Sequence, residues 1–143
     1  INYNCIVLFE SFEKMINKQE ILNKVYTFMM KQNQHCIKPG EDNFQYHYKE
    51  LRCNAGVLIP IEEYKPEFEE GLGLDGDNKV TSYFESKGFS DDDLCWLRDL
   101  QIVHDDYEVN EWQYRFECFA MVYGLTLPQI VPETLPQREF ING

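Results

Sequence analysis

Between Ser90 and Val103 the chain carries a pattern that an α-helix satisfies and a β-strand does not. Ser90 can cap the first turn, and Asp91, Asp92 and Asp93 stand where the helix dipole favours negative charge. Leu94, Leu97, Leu100 and Val103 then recur at every third position, with Trp96 beside them, and so line one helical face. Two further stripes frame this one. Asn17 followed by Glu20 has the form of a capping box, and Ile21, Leu22, Val25, Phe28 and Met29 follow at helical spacing to about Gln32. Asn110 reads as the cap of a last helix whose buried stripe is Trp112, Phe116, Phe119, Ala120 and Tyr123, with Gly124 as its stop.

The segments between these helices are shorter. Phe44 to Tyr48 alternates and is aromatic, as strands are, and Lys49-Glu50 can turn it into Leu51-Arg52-Cys53. Such a hairpin needs helices to pack on. Ala55 to Ile59 is the most apolar stretch and is expected in the core; Pro60 ends it before a turn at Ile61 to Tyr64. Pro39 to Asn43 and residues 67–79, with Gly71, Gly73 and Asp75-Gly76-Asp77, read as loops. Thr81 to Lys87 reads as a short helix stopped by Gly88. The fold class is therefore α+β: a mainly helical single domain over residues 15–127 with one short β-hairpin, followed by a Pro-containing surface tail over 128–143. Its expected core holds Ile21, Val25, Phe28, Val57, Leu58, Leu97, Leu100, Phe116, Phe119 and Ala120.

A length of 143 residues suits one such domain, and 15% aromatic residues argue against disorder. A net charge of −12 repels phosphate backbones and anionic lipid, which speaks against direct binding of nucleic acid or membrane. The N-terminal apolar run Cys5 to Phe9 is too short for a signal-peptide core or a membrane span. Five cysteines without a CxxC pair read as reduced thiols in a cytoplasm. Residues 1–14 read as a non-native or disordered extension ahead of Met15; the alternative is an arm that packs Ile6, Leu8, Phe9 and Phe12 on the body.

Lys18-Gln19-Glu20-Ile21, the stretch Arg52 to Gly71, and Leu97 to Asp106 ahead of Trp112 together resemble a group of small acidic proteins of tailed phages and bacterial prophages. In that group the central stretch reads Cys-Ala-x-Gly-x-Leu-Ile-Pro before an acidic Tyr-Pro segment, and a Leu-Gln-x-x-His-Asp element lies downstream. The likeness spans roughly residues 15 to 125. This chain departs at Asn54, where the group has Ala, and at Ile61, where an acid is usual. The resemblance implies expression in the cytoplasm of a bacterial host and carries no activity with it.

Among residues that could carry chemistry, the sharpest catalytic set is Cys53 with His104 and Asp105. An imidazole could deprotonate the thiol and a carboxylate orient that imidazole, as in cysteine-dependent hydrolases or transferases. The plainer reading makes Cys53 a small buried hydrophobe and His104-Asp105-Asp106 a helix end. Asp105 directly follows His104, so their side chains need not meet. Cys36, Cys53, Cys95, Cys118, His35, His47 and His104 could in principle gather round zinc, but no closely spaced ligand pairs announce such a site. Asp75-Gly76-Asp77-Asn78 fails the calcium-loop pattern at Lys79 and Val80, and no phosphate-binding glycine loop is present. No metal and no cofactor is expected.

Acidity is what remains. Glu62, Glu63, Glu67, Glu69 and Glu70 form one cluster, Asp91, Asp92 and Asp93 a second, and Asp105, Asp106 and Glu108 to Glu111 a third. On a shared face they would steer a basic protein partner, such as the nucleic-acid site of a host factor. The leading expectation is thus a small cytoplasmic phage or prophage protein acting by protein–protein binding. The alternatives are the cysteine enzyme and an accessory virion component.

Overall fold

Asn17 opens the first helix as its cap: its side-chain oxygen accepts from the Glu20 amide at 3.1 Å. In the computed structural model, which describes residues 15–71 and 73–130, this helix is α1, Lys18–Gln32. The expectations for residues 1–14 and for the tail beyond 130 lie outside the described residues. Leu22, Val25, Tyr26 and Met29 form the buried face of α1. Phe28, expected in the core, is 38% exposed, because that face places it on the shoulder of the helix about 100° away.

A two-residue turn with Lys49 in the left-handed region (φ 51°) joins β1, His47–Tyr48, to β2, Leu51–Arg52. The strands are antiparallel, with His47 opposite Arg52 and Tyr48 opposite Leu51. The Gln32 side chain acts as a third partner: its amide donates to the Arg52 carbonyl at 2.8 Å and accepts from the Arg52 amide at 2.9 Å. The chain then enters a 3-10 turn, Gly56–Leu58, beneath α1. Only glycine fits at 56, since a Cβ there would lie 1.9 Å from the Tyr46 carbonyl oxygen.

Residues 67–79, expected as loop, begin instead in a 3-10 turn, Pro66–Glu70, held by buried Phe68. Helix α2, Lys79–Ser86, starts two residues earlier than expected because Asn78 and Thr81 form a reciprocal capping box. Helix α3, Asp91–Asp105, begins at Ser90 as the sequence predicts, with Ser90 and Asp93 capping each other. Asn110 is not a cap. It lies inside a 3-10 turn, Val109–Glu111, closed by Glu108 and Glu111, and α4, Trp112–Tyr123, continues from that turn. Gly124 (φ 65°) ends α4 in a Schellman motif, with Leu125 N–H donating to the Ala120 carbonyl at 2.8 Å.

Helix α3 packs on α4, and α1 lies against α4 and the 56–58 turn. Trp96, Leu97, Leu100 and Val103 of α3 meet Trp112, Phe116, Phe119 and Ala120 of α4 in one core, joined by Val25, Val57 and Ile59. Ile21 and Leu58 are half-buried at its edge. Leu125 and Leu127, just after α4, also rest on the core, and Gln19 clamps this segment through both backbone groups of Thr126. The protein is a mainly helical α+β domain with a single two-stranded hairpin among the described residues. No helix among them is long and apolar enough to cross a membrane.

Candidate functional site

The hairpin, Gly71, the loop at 73–75 and one face of α3 line a cavity of about 260 Å³. On α3 the lining positions are Arg98, Gln101, Ile102 and Asp105, spaced i, i+3, i+4 and i+7, so a single helical face supplies one wall. Cys53 and Tyr46 line it from the hairpin side, and Glu69 and Asp75 complete its charged groups. Two of the expected catalytic residues, Cys53 and Asp105, thus share a cavity. The third, His104, is fully buried behind Asp105.

His104 and Asp105, though adjacent in the chain, do meet: Nδ1 lies 2.7 Å from the carboxylate oxygen Oδ1. On its other side the ring accepts the Cys36 amide at Nε2, 2.9 Å away. An amide can only donate, so Nε2 carries the lone pair, Nδ1 carries the proton, and the ring is neutral. Burial holds its pKa below the ordinary 6.5 despite the carboxylate. Gln101 continues the network, donating to Asp105 at 3.0 Å and accepting the Ala55 amide at 2.8 Å.

This network leaves His104 no free lone pair with which to deprotonate Cys53. The thiol is 1% exposed, and burial pushes its pKa well up, with the Asp105 charge adding to the rise. The Gly56 amide donates to Sγ at 3.3 Å and opposes this only in part. The arrangement therefore keeps both the thiol and the imidazole neutral, the opposite of an activated pair. Cys36, also buried, has its pKa pushed up to about 12 for the same reason.

The remaining histidines are held in place by packing. His35 stacks on Phe44 at 4.8 Å and donates from Nε2 to the Tyr107 carbonyl at 2.9 Å. His47 stacks on Tyr64 at 4.3 Å and donates to the Gly56 carbonyl at 2.8 Å. Cys95 lies exposed on α3 and Cys118 half-buried on α4. Among the described residues no three His, Cys, Asp or Glu side chains converge as a metal site.

The acidic clusters divide between structural roles and open surface. Glu69 accepts the backbone amides of Tyr46 and His47 and the Tyr64 hydroxyl, the last at 2.6 Å. Glu63 pairs with Lys87 at 2.6 Å and accepts the Tyr83 hydroxyl. Asp93 caps Ser90 and pairs with Lys18 at 3.3 Å. Glu62, Glu70, Asp91, Asp92 and Asp106 are exposed, and Glu67 is half-buried. The second and third clusters sit at opposite ends of α3, about 20 Å apart at 1.5 Å per residue, so they do not make one compact patch.

The outer side of α4 escapes the reading by core stripe alone. Opposite its buried face, Tyr114, Met121 and Val122 are 61%, 78% and 77% exposed, at i, i+7 and i+8, with Cys118 between them. This second apolar stripe is also present in the sequence, on the side away from the stripe read as core. Met121 also borders a groove of about 760 Å³ between α1, α4 and residues 125–130. Exposed Glu111 and Glu117 flank the stripe.

Comparisons with protein-family models, with curated proteins and with solved structures find nothing that matches this chain.

Proposed function

We propose that this is a small acidic phage or prophage protein that acts by protein–protein contact, using the outer face of α4 to bind a basic partner. The observation that supports this reading is the stripe of Tyr114, Met121 and Val122, left exposed on a helix whose opposite face is fully packed. Single exposed apolar side chains are ordinary, but a helical stripe flanked by carboxylates has the form of a docking surface. Its complement is an amphipathic, basic segment: apolar groups fill the stripe, and positive charge answers a protein of net charge −12. The exposed carboxylates on the other elements steer such a partner from a distance. A nucleic-acid-binding site on a host factor carries this chemistry.

The test compares the tagged protein with a Met121→Asp/Val122→Asp double variant, both captured from bacterial lysate and washed with rising salt. Both positions are open to solvent, so the variant should keep the native melting temperature. A basic protein retained at low salt, released by high salt and lost by the variant is the expected outcome. Retention of the same proteins by both forms, or of none, would overturn the reading.

A further inference from the structure

The chain holds four methionines, and the fold gives each a different access to solvent. Met29 is fully buried on the inner face of α1, and Met30 is half-buried against the same core. Met15 is 70% exposed just ahead of α1. Met121 is 78% exposed and belongs to the apolar stripe of α4, seven residues on from Tyr114 and next to Val122. It also borders the groove that Tyr26, Leu125 and Ile130 line. Exposure decides which thioether a soluble oxidant reaches first, so Met121 is the open methionine on the outer face of α4.

We infer that Met121 is an oxidation site whose conversion to the sulfoxide switches off the contact face of α4. The inference rests on the reading of that face as the docking surface. Hydrogen peroxide transfers one oxygen atom to the Met121 sulfur: a sulfur lone pair forms the S–O bond, the O–O bond breaks, and the other oxygen leaves as water. The thioether gives up two electrons, the peroxide is reduced, and an apolar side chain becomes a polar acceptor. In the free protein water satisfies that acceptor, so the fold is undisturbed. In the complex the apolar groups that fill the stripe offer it no donor, and a buried acceptor without a donor is costly.

Cys118, half-buried between Tyr114 and Met121, is a second oxidisable group on this face. The chemistry separates the two. Dithiothreitol reverses a sulfenic acid or a disulfide, whereas a methionine sulfoxide yields to methionine sulfoxide reductases.

The test treats the full tagged chain with limiting hydrogen peroxide, then with dithiothreitol, and locates the added oxygen by peptide mass spectrometry. Met121 and Met15 should be oxidised ahead of Met30, and Met29 last, with the melting temperature unchanged. Treated and untreated forms are then compared in the lysate capture at low salt. The treated form should retain about tenfold less of the basic protein, the worth of one buried side chain of this size, and the reductases should restore it. Met121→Leu carries no thioether at this position; whatever its starting level, its retention should be the same before and after peroxide. Oxidation of Met29 or Met30 ahead of Met121, equal retention by the treated and untreated forms, or a peroxide effect that persists in Met121→Leu would overturn the inference. Retention of nothing by the untreated form overturns the docking reading itself, an outcome distinct from retention that oxidation leaves unchanged.

Discussion

At His104 two hydrogen bonds decide the protonation state: the Cys36 amide requires a lone pair on Nε2, and Asp105 receives the proton on Nδ1. At His47 the Gly56 carbonyl takes the Nε2 proton, while Nδ1 is buried with no partner. A second proton on either ring therefore enters a place built for a neutral one, and burial lowers both pKa values below 6.5. With folded values below the unfolded one, the unfolded chain binds more protons in acid. The stabilisation from the neutral rings is full above about pH 6.5 and declines as pH falls below it. Each ring contributes a slope of at most about 1.4 kcal/mol per pH unit. Thermal unfolding at pH 7.0 and 5.5 should show a loss of stability, and His104→Gln, which keeps an acceptor for Cys36, should show a smaller one. Equal losses in the two proteins would mean that His104 titrates alike folded and unfolded. None of this was legible at the residue level, because the ring's partners are Cys36, 68 residues away, and a neighbour whose side chain could have pointed elsewhere.

Elements were read with success where their ends are written locally. Ser90 with Asp93 and Asn17 before α1 act across three residues, so the sequence contains the whole cap. Replacing Ser90 by Ala removes the acceptor for the Asp93 amide and should cost about 1 kcal/mol, measured by urea unfolding at pH 7. No change would show that Asp91 and Asp92 carry the helix start alone. The misreadings have the same cause in reverse. Asn110 looked like a cap, but Glu108 and Glu111 wind the chain into a 3-10 turn first and leave Asn110 inside it. Phe28 fits a helical period as well as Met29 does; what separates them is where α4 and the 56–58 turn lie against α1. The core side of α4 was legible in Trp112, Phe116, Phe119 and Ala120, whereas Tyr123, expected in the same stripe, is 37% exposed at the end of the helix.

The molecule as a whole carries a net charge of −12, with four ion pairs between acidic side chains and Lys or Arg among the described residues, each with a solvent-accessible member. Exposed pairs contribute little, whereas like charges repel across the entire surface. Added salt screens beyond about 10 Å at 0.1 M, so repulsion should weaken more than pairing does. Raising sodium chloride from 10 to 300 mM is therefore expected to increase stability on the order of 1 kcal/mol, or about 3 °C in melting temperature. A fall would show that the pairs outweigh the repulsion. The sequence by itself determined the fold class, the starts of α1 and α3, the stop of α4 at Gly124, the hairpin and the charge, because caps, periodicity and composition act over a few residues or over none. The tertiary structure alone decided that Cys53 is buried away from water, that Glu69 serves the hairpin, and that Tyr46 and Asp105 share a cavity. Each of these depends on desolvation and on partners distant in the chain, and neither quantity exists until the helices have packed.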